Sequence, residues 1–427
     1  MKKERRILFV LIIFFILMVI LSYFTPILLW DENAYLGNAR SHLTTSNYTE
    51  DFRYPLLEYI ISGLWLITGE SIFAAKVLMS LFYVATIYLF YLISKQYIKD
   101  NLLLTILFAI SSQMIYWGFR IYTDVFVVFF ILLSFYFLNK RLFLFSGIAA
   151  GLGILAKFTS VLMVAAVIFC LLLRKEVKQS SIFAFGVFLC LSPWLAYNQV
   201  KYSNPLWDFF SQLSLTSKYN EFISPLNFIK DMLIYLNMFL IISMIKFKEI
   251  IKNEKFRPMF IFCLFYIVYF TFISDVKFSR YLLSIIPFIY LFGWHEILKI
   301  KNTEKRKIII SLTIIFSLLL FANTAISIGK EFYCNNDGSI IKTINYLSQE
   351  QDTDIISNVW PWFGYYNNLR VHSFYSNIDE LSQSHKPKYF IYNEGIGDSY
   401  DEIQLKKLTL EKTFEGKCKD RISIYKN

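Results

Sequence analysis

Five groups of charged residues adjoin long apolar stretches: Asp31-Glu32, Arg53, Arg120 with Asp124, Lys157, and Lys277 with Arg280. Ionisable groups at membrane depth, or at the ends of membrane helices, are costly and default to functional roles. Two or three cations at one membrane surface suit a phosphate or diphosphate, which Arg holds bidentately and Lys as a point charge. A carboxylate at the same level could serve as general base toward a hydroxyl. Taken singly, each group also has a plainer role. Asp31-Glu32 could open a solvated loop, and Asp124 could pair with Arg120 across a turn. Lys157 could snorkel to the interface, and Lys277 and Arg280 could be ordinary loop charges. Their joint placement on one face is what favours chemistry, and that placement depends on the elements around them.

Those elements are membrane helices. The chain of 427 residues is 56% hydrophobic and 18% charged, against about 25% charged in a soluble domain. The apolar residues come in blocks, among them Leu8–Leu29, Val77–Ile93, Val125–Leu138 and Ile308–Ile328. Several reach the roughly 20 residues that cross a bilayer. Eleven spans are expected, near 7–29, 71–94, 102–118, 122–139, 142–157, 159–173, 180–198, 228–245, 258–274, 280–298 and 308–328. The first follows Lys2, Lys3, Arg5 and Arg6 but lacks a cleavage site, so it reads as a retained signal-anchor. With Met1–Arg6 in the cytoplasm, the inside segments carry 21 Lys/Arg and the outside loops between helices only nine. This is the positive-inside pattern. The net charge of +11 therefore encodes topology, not a nucleic-acid partner. In this topology all five charged groups face the non-cytoplasmic side.

Two outside loops exceed what a connection needs, and such loops are usually functional. Trp30–Gly69 contains Leu56–Ile67, too short to span and expected to lie in the interface, with Tyr59 and Trp65 at that depth. Gln199–Phe228 carries the turn signals Asn204-Pro205 and Ser224-Pro225. Residues 330–427 hold 12 basic and 14 acidic residues and no long apolar run, so they read as a small α/β domain. Ile340–Leu347 predicts a helix, Asp354–Asn358 and Tyr389–Tyr392 predict strands, and Phe374–Leu381 predicts a loop entering another helix. Cys170, Cys190 and Cys263 fall inside spans as packing residues. Cys334 and Cys418 are the two thiols of the soluble domain, on the oxidising side, and are expected to form a disulfide. Metal-ligand spacings such as CxxC or HxxxH are absent from the sequence. The expected architecture is an all-α polytopic membrane bundle, residues 1–329, with an extracytoplasmic α/β domain, residues 330–427.

Sugar transfer from a polyprenyl phosphate would use these parts: a base for the acceptor, cations for the departing phosphate, and a groove open to lipid. The residues also resemble a family. Trp30-Asp31-Glu32-Asn33-Ala34-Tyr35 resembles the first external loop of GT-C membrane glycosyltransferases. The nearest group is the dolichyl-phosphate-mannose–protein mannosyltransferase and aminoarabinose transferase superfamily. The similarity continues in order through Arg53-Tyr54-Pro55-Leu56, Thr123-Asp124, Gly151-Leu152-Gly153-Ile154-Leu155-Ala156-Lys157, Pro193-Trp194, Asn204-Pro205-Leu206 and Arg280-Tyr281-Leu282-Leu283. It departs at Tyr54, where the family has proline, at Phe158-Thr159, where it has glycine, and at Arg53, where Lys or His is common.

The resemblance implies an inverting transfer of one hexose or pentose from a polyprenyl-phosphate donor to a hydroxyl acceptor on protein, lipid or glycan. On that reading Asp31 is the base and Glu32 its helper or an acceptor ligand. Arg53, Lys157, Lys277 and Arg280 hold the donor phosphate, and Asp124 with Arg120 orients the sugar or a cation. Asp31, Glu32 and Asp124 could hold a divalent ion. The alternative is a transporter or flippase of a lipid-linked saccharide, which would show pseudo-repeated halves or charges near the midplane; the sequence has neither. A receptor with an external sensor domain is a third reading, without specific support.

Overall fold

The computed structural model describes residues 2–25, 28–218, 224–335, 338–350, 353–373, 388–394 and 408–426. The predicted segment Phe374–Leu381 lies outside them. In hydrocarbon no water satisfies a backbone N–H or C=O, so apolar segments close their hydrogen bonds within helices. Among the described residues, five helices are long and apolar enough to cross a membrane: Lys2–Phe24, Ile72–Ser94, Val177–Tyr202, Pro225–Ile245 and Thr303–Asn335. Shorter apolar helices include Thr123–Asn139, Phe143–Ala156 and Ile286–Leu298.

Several expected spans differ in detail. The 102–118 stretch is broken into Leu102–Ala109 and Ser112–Trp117, at the Ser111-Ser112 pair. The helix expected near 180–198 runs from Val177 to Tyr202, through Pro193. Proline is tolerated in apolar helices where neighbouring groups re-satisfy the freed carbonyl. The loop that follows holds a helix of its own, Trp207–Lys218. The segment opening at Arg280 starts as a 3₁₀ turn, Ser279–Ser284, before Ile286–Leu298. Pro287 lacks an N–H and fits only the first turn of that helix.

The chain divides into two compact units. The first comprises residues 1–22, 52–57 and 76–324. At its centre Phe143–Ala156 packs against both Thr123–Asn139 and Val177–Tyr202. Glycines allow the second contact. A Cβ on Gly147 would sit 2.1 Å from the Phe183 carbonyl oxygen, and one on Gly186 would sit 2.5 Å from that of Leu144. The first contact is stitched by hydroxyls: Ser134 Oγ donates to the Ser146 carbonyl at 2.9 Å, and Ser146 Oγ donates back to that of Ser134 at 2.9 Å. Small residues and hydroxyl bonds are what bind helices where no hydrophobic gain separates protein from lipid.

The second unit comprises residues 23–51, 58–75 and 325–427. Its sheet contains β1 (Asp354–Ser357), β2 (Arg370–Ser373), β3 (Tyr389–Asn393), β4 (Thr409–Glu415) and β5 (Arg421–Lys426), in the order β2-β1-β3-β5-β4. β1 is parallel to β2 and β3, and β5 is antiparallel to β3 and β4. The β1–β2 crossover holds the helix Trp360–Asn367, near the minimum of about a dozen residues that a parallel connection needs. Ile355, Ile391, Ile422 and Ile424 form the core with Leu347 and Phe363. Cys334 and Cys418 form a disulfide, with Cα atoms 5.3 Å apart. The Tyr48 ring fills the space between Gly37 and Gly364. A Cβ on either would come within 2.6 Å of the ring, so only glycine lets the two helices close on it. Trp65 is a correction to the interfacial reading of Leu56–Thr68: it is 3% exposed and its indole N–H donates to the Ser71 carbonyl at 3.0 Å. Leu66 and Ile67, at 76% and 87% exposed, are the outward residues.

Gly147→Ala is expected to lower stability by about 1–3 kcal/mol, the usual cost of overpacking. A thermal unfolding midpoint in detergent equal to wild type would show that the helix contact is looser than described.

Candidate active site

The first unit gathers two of the predicted cations, Lys157 and Arg280, around one predicted carboxylate, Asp124. Tyr122 is extended, and Thr123–Asn139 begins immediately after it, so Asp124 lies in a first turn whose free N–H groups favour negative charge. Asp124 is 3% exposed. Lys157 is placed by a helix break: Phe143–Ala156 ends, Lys157 itself is extended, and a 3₁₀ turn at Phe158–Ser160 leads into Val161–Leu173. Its Nζ donates to Asp124 Oδ1 at 2.5 Å. Arg280, on the 3₁₀ turn, brings Nε to 3.8 Å from Asp124 Oδ2. Tyr266 Oη fixes that turn by donating to the Tyr281 carbonyl at 2.8 Å.

Aromatic rings surround these cations. Lys157 Nζ is 4.2 Å from the Tyr281 ring centre, and the Arg280 guanidinium carbon is 4.9 Å from Tyr122 and 4.8 Å from Phe278. Ring faces attract cations and exclude water. Among these three residues cations outnumber carboxylates two to one, an arrangement suited to an anion. The rings were not foreseen, although Tyr122 lies two residues from Asp124, and Phe278 and Tyr281 lie within two residues of Arg280.

Other predicted residues are held differently. Arg120 is 1% exposed; its Nε donates to the Tyr116 carbonyl at 2.9 Å and its guanidinium carbon stands 4.3 Å from the Tyr116 ring. Lys277 Nζ donates to the Ser274 carbonyl at 2.6 Å. Arg53 stands 5.6 Å from the Phe52 ring, and Gln212 Nε2 grips the Phe52 carbonyl at 3.1 Å.

In the second unit, Asp31 and Glu32 lie in the first turn of Trp30–Ser41. Glu32 is fully buried, and its Oε2 accepts from the Leu29 backbone N–H at 2.7 Å. This is half of a capping box, which satisfies an otherwise orphaned donor. Glu32 thus orients the helix that carries half-buried Asp31. Trp30 packs edge-on against Trp360 and Trp362, with ring centres 4.5 and 5.4 Å away. Further along, Asn38 binds the Glu50 backbone and Glu58. Arg40 pairs with Glu70 and donates to the Tyr365 carbonyl at 2.6 Å. Burial and the neighbouring Glu70 charge push the Tyr365 phenol far above its ordinary range, so it stays a donor to Glu70 at 3.2 Å. Neither Glu50, Glu58 and Glu70 nor the Trp360-Pro361-Trp362 run was singled out by sequence. Carboxylates in a polar loop give no signal of their burial.

The divalent-ion expectation does not fit. Asp124 faces Lys157 and Arg280, Glu32 caps a helix, and among the described residues no group of three or more His, Cys, Asp or Glu could hold a metal.

Residues 53–197 match the sequence model of the dolichyl-phosphate-mannose-protein mannosyltransferase family. The fold is similar to that of ArnT. ArnT from Cupriavidus metallidurans bound to undecaprenyl phosphate aligns with a TM-score of 0.74 and 10% identity, covering 99% of this chain and 98% of that one. Its apo state aligns at 0.67 and 10% identity, covering 97% of each. No curated protein matches in sequence.

Asp124→Asn leaves Lys157 and Arg280 without their shared counter-charge. Breaking a buried pair typically costs about 3–5 kcal/mol, so a clear fall in thermal stability in detergent is expected. An unchanged midpoint would mean that solvent or lipid already screens the two cations.

Proposed function

We propose that this chain transfers a single sugar from a polyprenyl-phosphate donor to a hydroxyl acceptor, with inversion, at the non-cytoplasmic face of the membrane. The observation that carries the reading is the aromatic-walled pair of cations on Asp124. It supplies the charge a departing phosphate needs, in a fold shared with a structure that holds undecaprenyl phosphate. The family match over residues 53–197 adds support. Asp31 takes the proton of the acceptor hydroxyl. The acceptor oxygen bonds to the anomeric carbon as the bond to the phosphate oxygen breaks, and polyprenyl phosphate leaves with the electron pair. Lys157 and Arg280, assisted by Arg53 and Lys277, stabilise that charge, while Asp124 holds the two cations in place. Neutralised phosphate is a good leaving group, so no general acid is required. Eleven membrane spans and an extracytoplasmic domain at residues 330–427 belong to the same proposal.

Asp31→Asn is expected to lower turnover by about 10²–10⁴-fold, the usual contribution of a positioned base, with donor binding nearly intact. Arg280→Ala is expected to weaken donor binding instead, because it removes a charge-assisted phosphate contact. Assays would use purified protein and a panel of polyprenyl-phosphate sugars, reading released polyprenyl phosphate. Near-normal turnover in Asp31→Asn would place the base elsewhere, and donor movement across the bilayer without acceptor-dependent release would identify a flippase.

The orientation is tested separately. A cysteine near Lys252 should resist labelling from outside intact cells, because Lys246–Arg257 is read as cytoplasmic from its charge. External labelling there would invert the topology.

A further inference from the structure

At the end of the bundle carrying Lys140-Arg141 and Arg174-Lys175, the first unit contains a cavity of about 250 Å³. Arg141, Arg174 and Lys255 line it, over a floor that includes Leu138, Val167 and Leu171. Glu176 and Glu254 also border it, so the wall carries three cations and two carboxylates. Arg141 reaches Glu176 at 3.4 Å.

Arg174 is the informative residue. One terminal nitrogen of its guanidinium donates to the Glu254 carbonyl, which pins the group in place. Its Nε is buried and has no hydrogen-bond partner among the described residues. A buried N–H of a cation without an acceptor is costly, and native structures rarely leave one unexplained. A phosphate oxygen is the acceptor that a guanidinium fits best.

Next to the cavity residues the surface is apolar. Leu142, Leu172, Leu173 and Val177 are 45%, 49%, 58% and 60% exposed, and they adjoin Arg141, Arg174 and Glu176 in sequence. A soluble phosphate compound has no use for this surface, whereas acyl chains do. We propose that this cavity binds the headgroup phosphate of an anionic membrane lipid, with Arg174 as principal ligand, Arg141 and Lys255 as supporting charges, and the chains lying along Leu142, Leu172, Leu173 and Val177. The site uses none of the residues assigned to sugar transfer.

The test is native mass spectrometry of the full chain released from nanodiscs of phosphatidylglycerol and phosphatidylcholine. Wild type should retain one phosphatidylglycerol in preference to phosphatidylcholine. Arg174→Gln should lower that retention about tenfold, the scale of one charge-assisted phosphate contact. Arg141→Gln changes a largely exposed residue that poses no risk to folding, and should lower retention in the same direction. Lys140→Gln, a neighbouring cation outside the cavity, should retain lipid as wild type does. Equal retention in Arg174→Gln and Arg141→Gln overturns the proposal, as does equal loss in Lys140→Gln, which would reveal only general charge. Release of the lipid by millimolar inorganic phosphate would overturn the choice of a lipid over a soluble anion.

Discussion

One carboxylate with two cations on it organises the first unit. Asp124, Lys157 and Arg280 come from three separate helix starts or breaks, and each of those is irregular at or just before the residue that matters. Tyr122 is extended, the chain breaks at Lys157, and Arg280 sits on a 3₁₀ turn. A regular helix through any of them would aim the side chain elsewhere. The charges make these interruptions worthwhile, since a lone Lys or Arg at this depth would be expensive and a lone buried carboxylate equally so. The glycine contacts and serine bonds that hold Phe143–Ala156 between its neighbours serve the same end by fixing the helix from which Lys157 emerges.

The second unit follows a different logic. Trp30–Ser41 is a mostly polar helix with eight buried residues, which propensity alone would not stabilise. It is held by what surrounds it. Glu32 closes its first turn, Asn38 ties it to Glu50 and Glu58, and Arg40 anchors its last turn to Glu70 and Tyr365. The helix Trp360–Asn367 completes the arrangement by placing two tryptophans against Trp30 and a glycine against Tyr48. Residues 23–51 and 58–75 are therefore one folded body with residues 325–427. The residue assigned as the base depends for its position on residues more than three hundred places later in the chain.

Much of the helical framework was legible because hydropathy is read from local sequence. The break at Lys157 was visible in the same way, as a charge between two apolar runs. The pairing of Asp124 with Lys157 and Arg280 was not, since the plain sequence offered Arg120, four residues away, as the nearer partner. Trp65 was assigned to the interface by residue type, but its indole hydrogen bond to Ser71 turns it inward. In the C-terminal sheet, β1 and β3 were legible as runs rich in Ile and aromatic residues. β4 was not, because it is an edge strand with mostly exposed positions, in the sequence Thr409–Glu415. The helix Trp360–Asn367 was hidden by its proline, which sits at the first turn, where its missing N–H costs nothing.

The strand order also has a consequence for how the protein is made. β5 is the last of the five strands along the chain but lies inside the sheet, between β3 and β4. Until residues 421–426 have been synthesised, β3 presents an unpaired edge, and such edges invite association with other chains. Cys418, three residues before β5, reaches its partner in the same final step. Folding of this domain cannot advance strand by strand with translation. It must wait for residues 421–426, which are made well after the segments that carry Lys157 and Arg280.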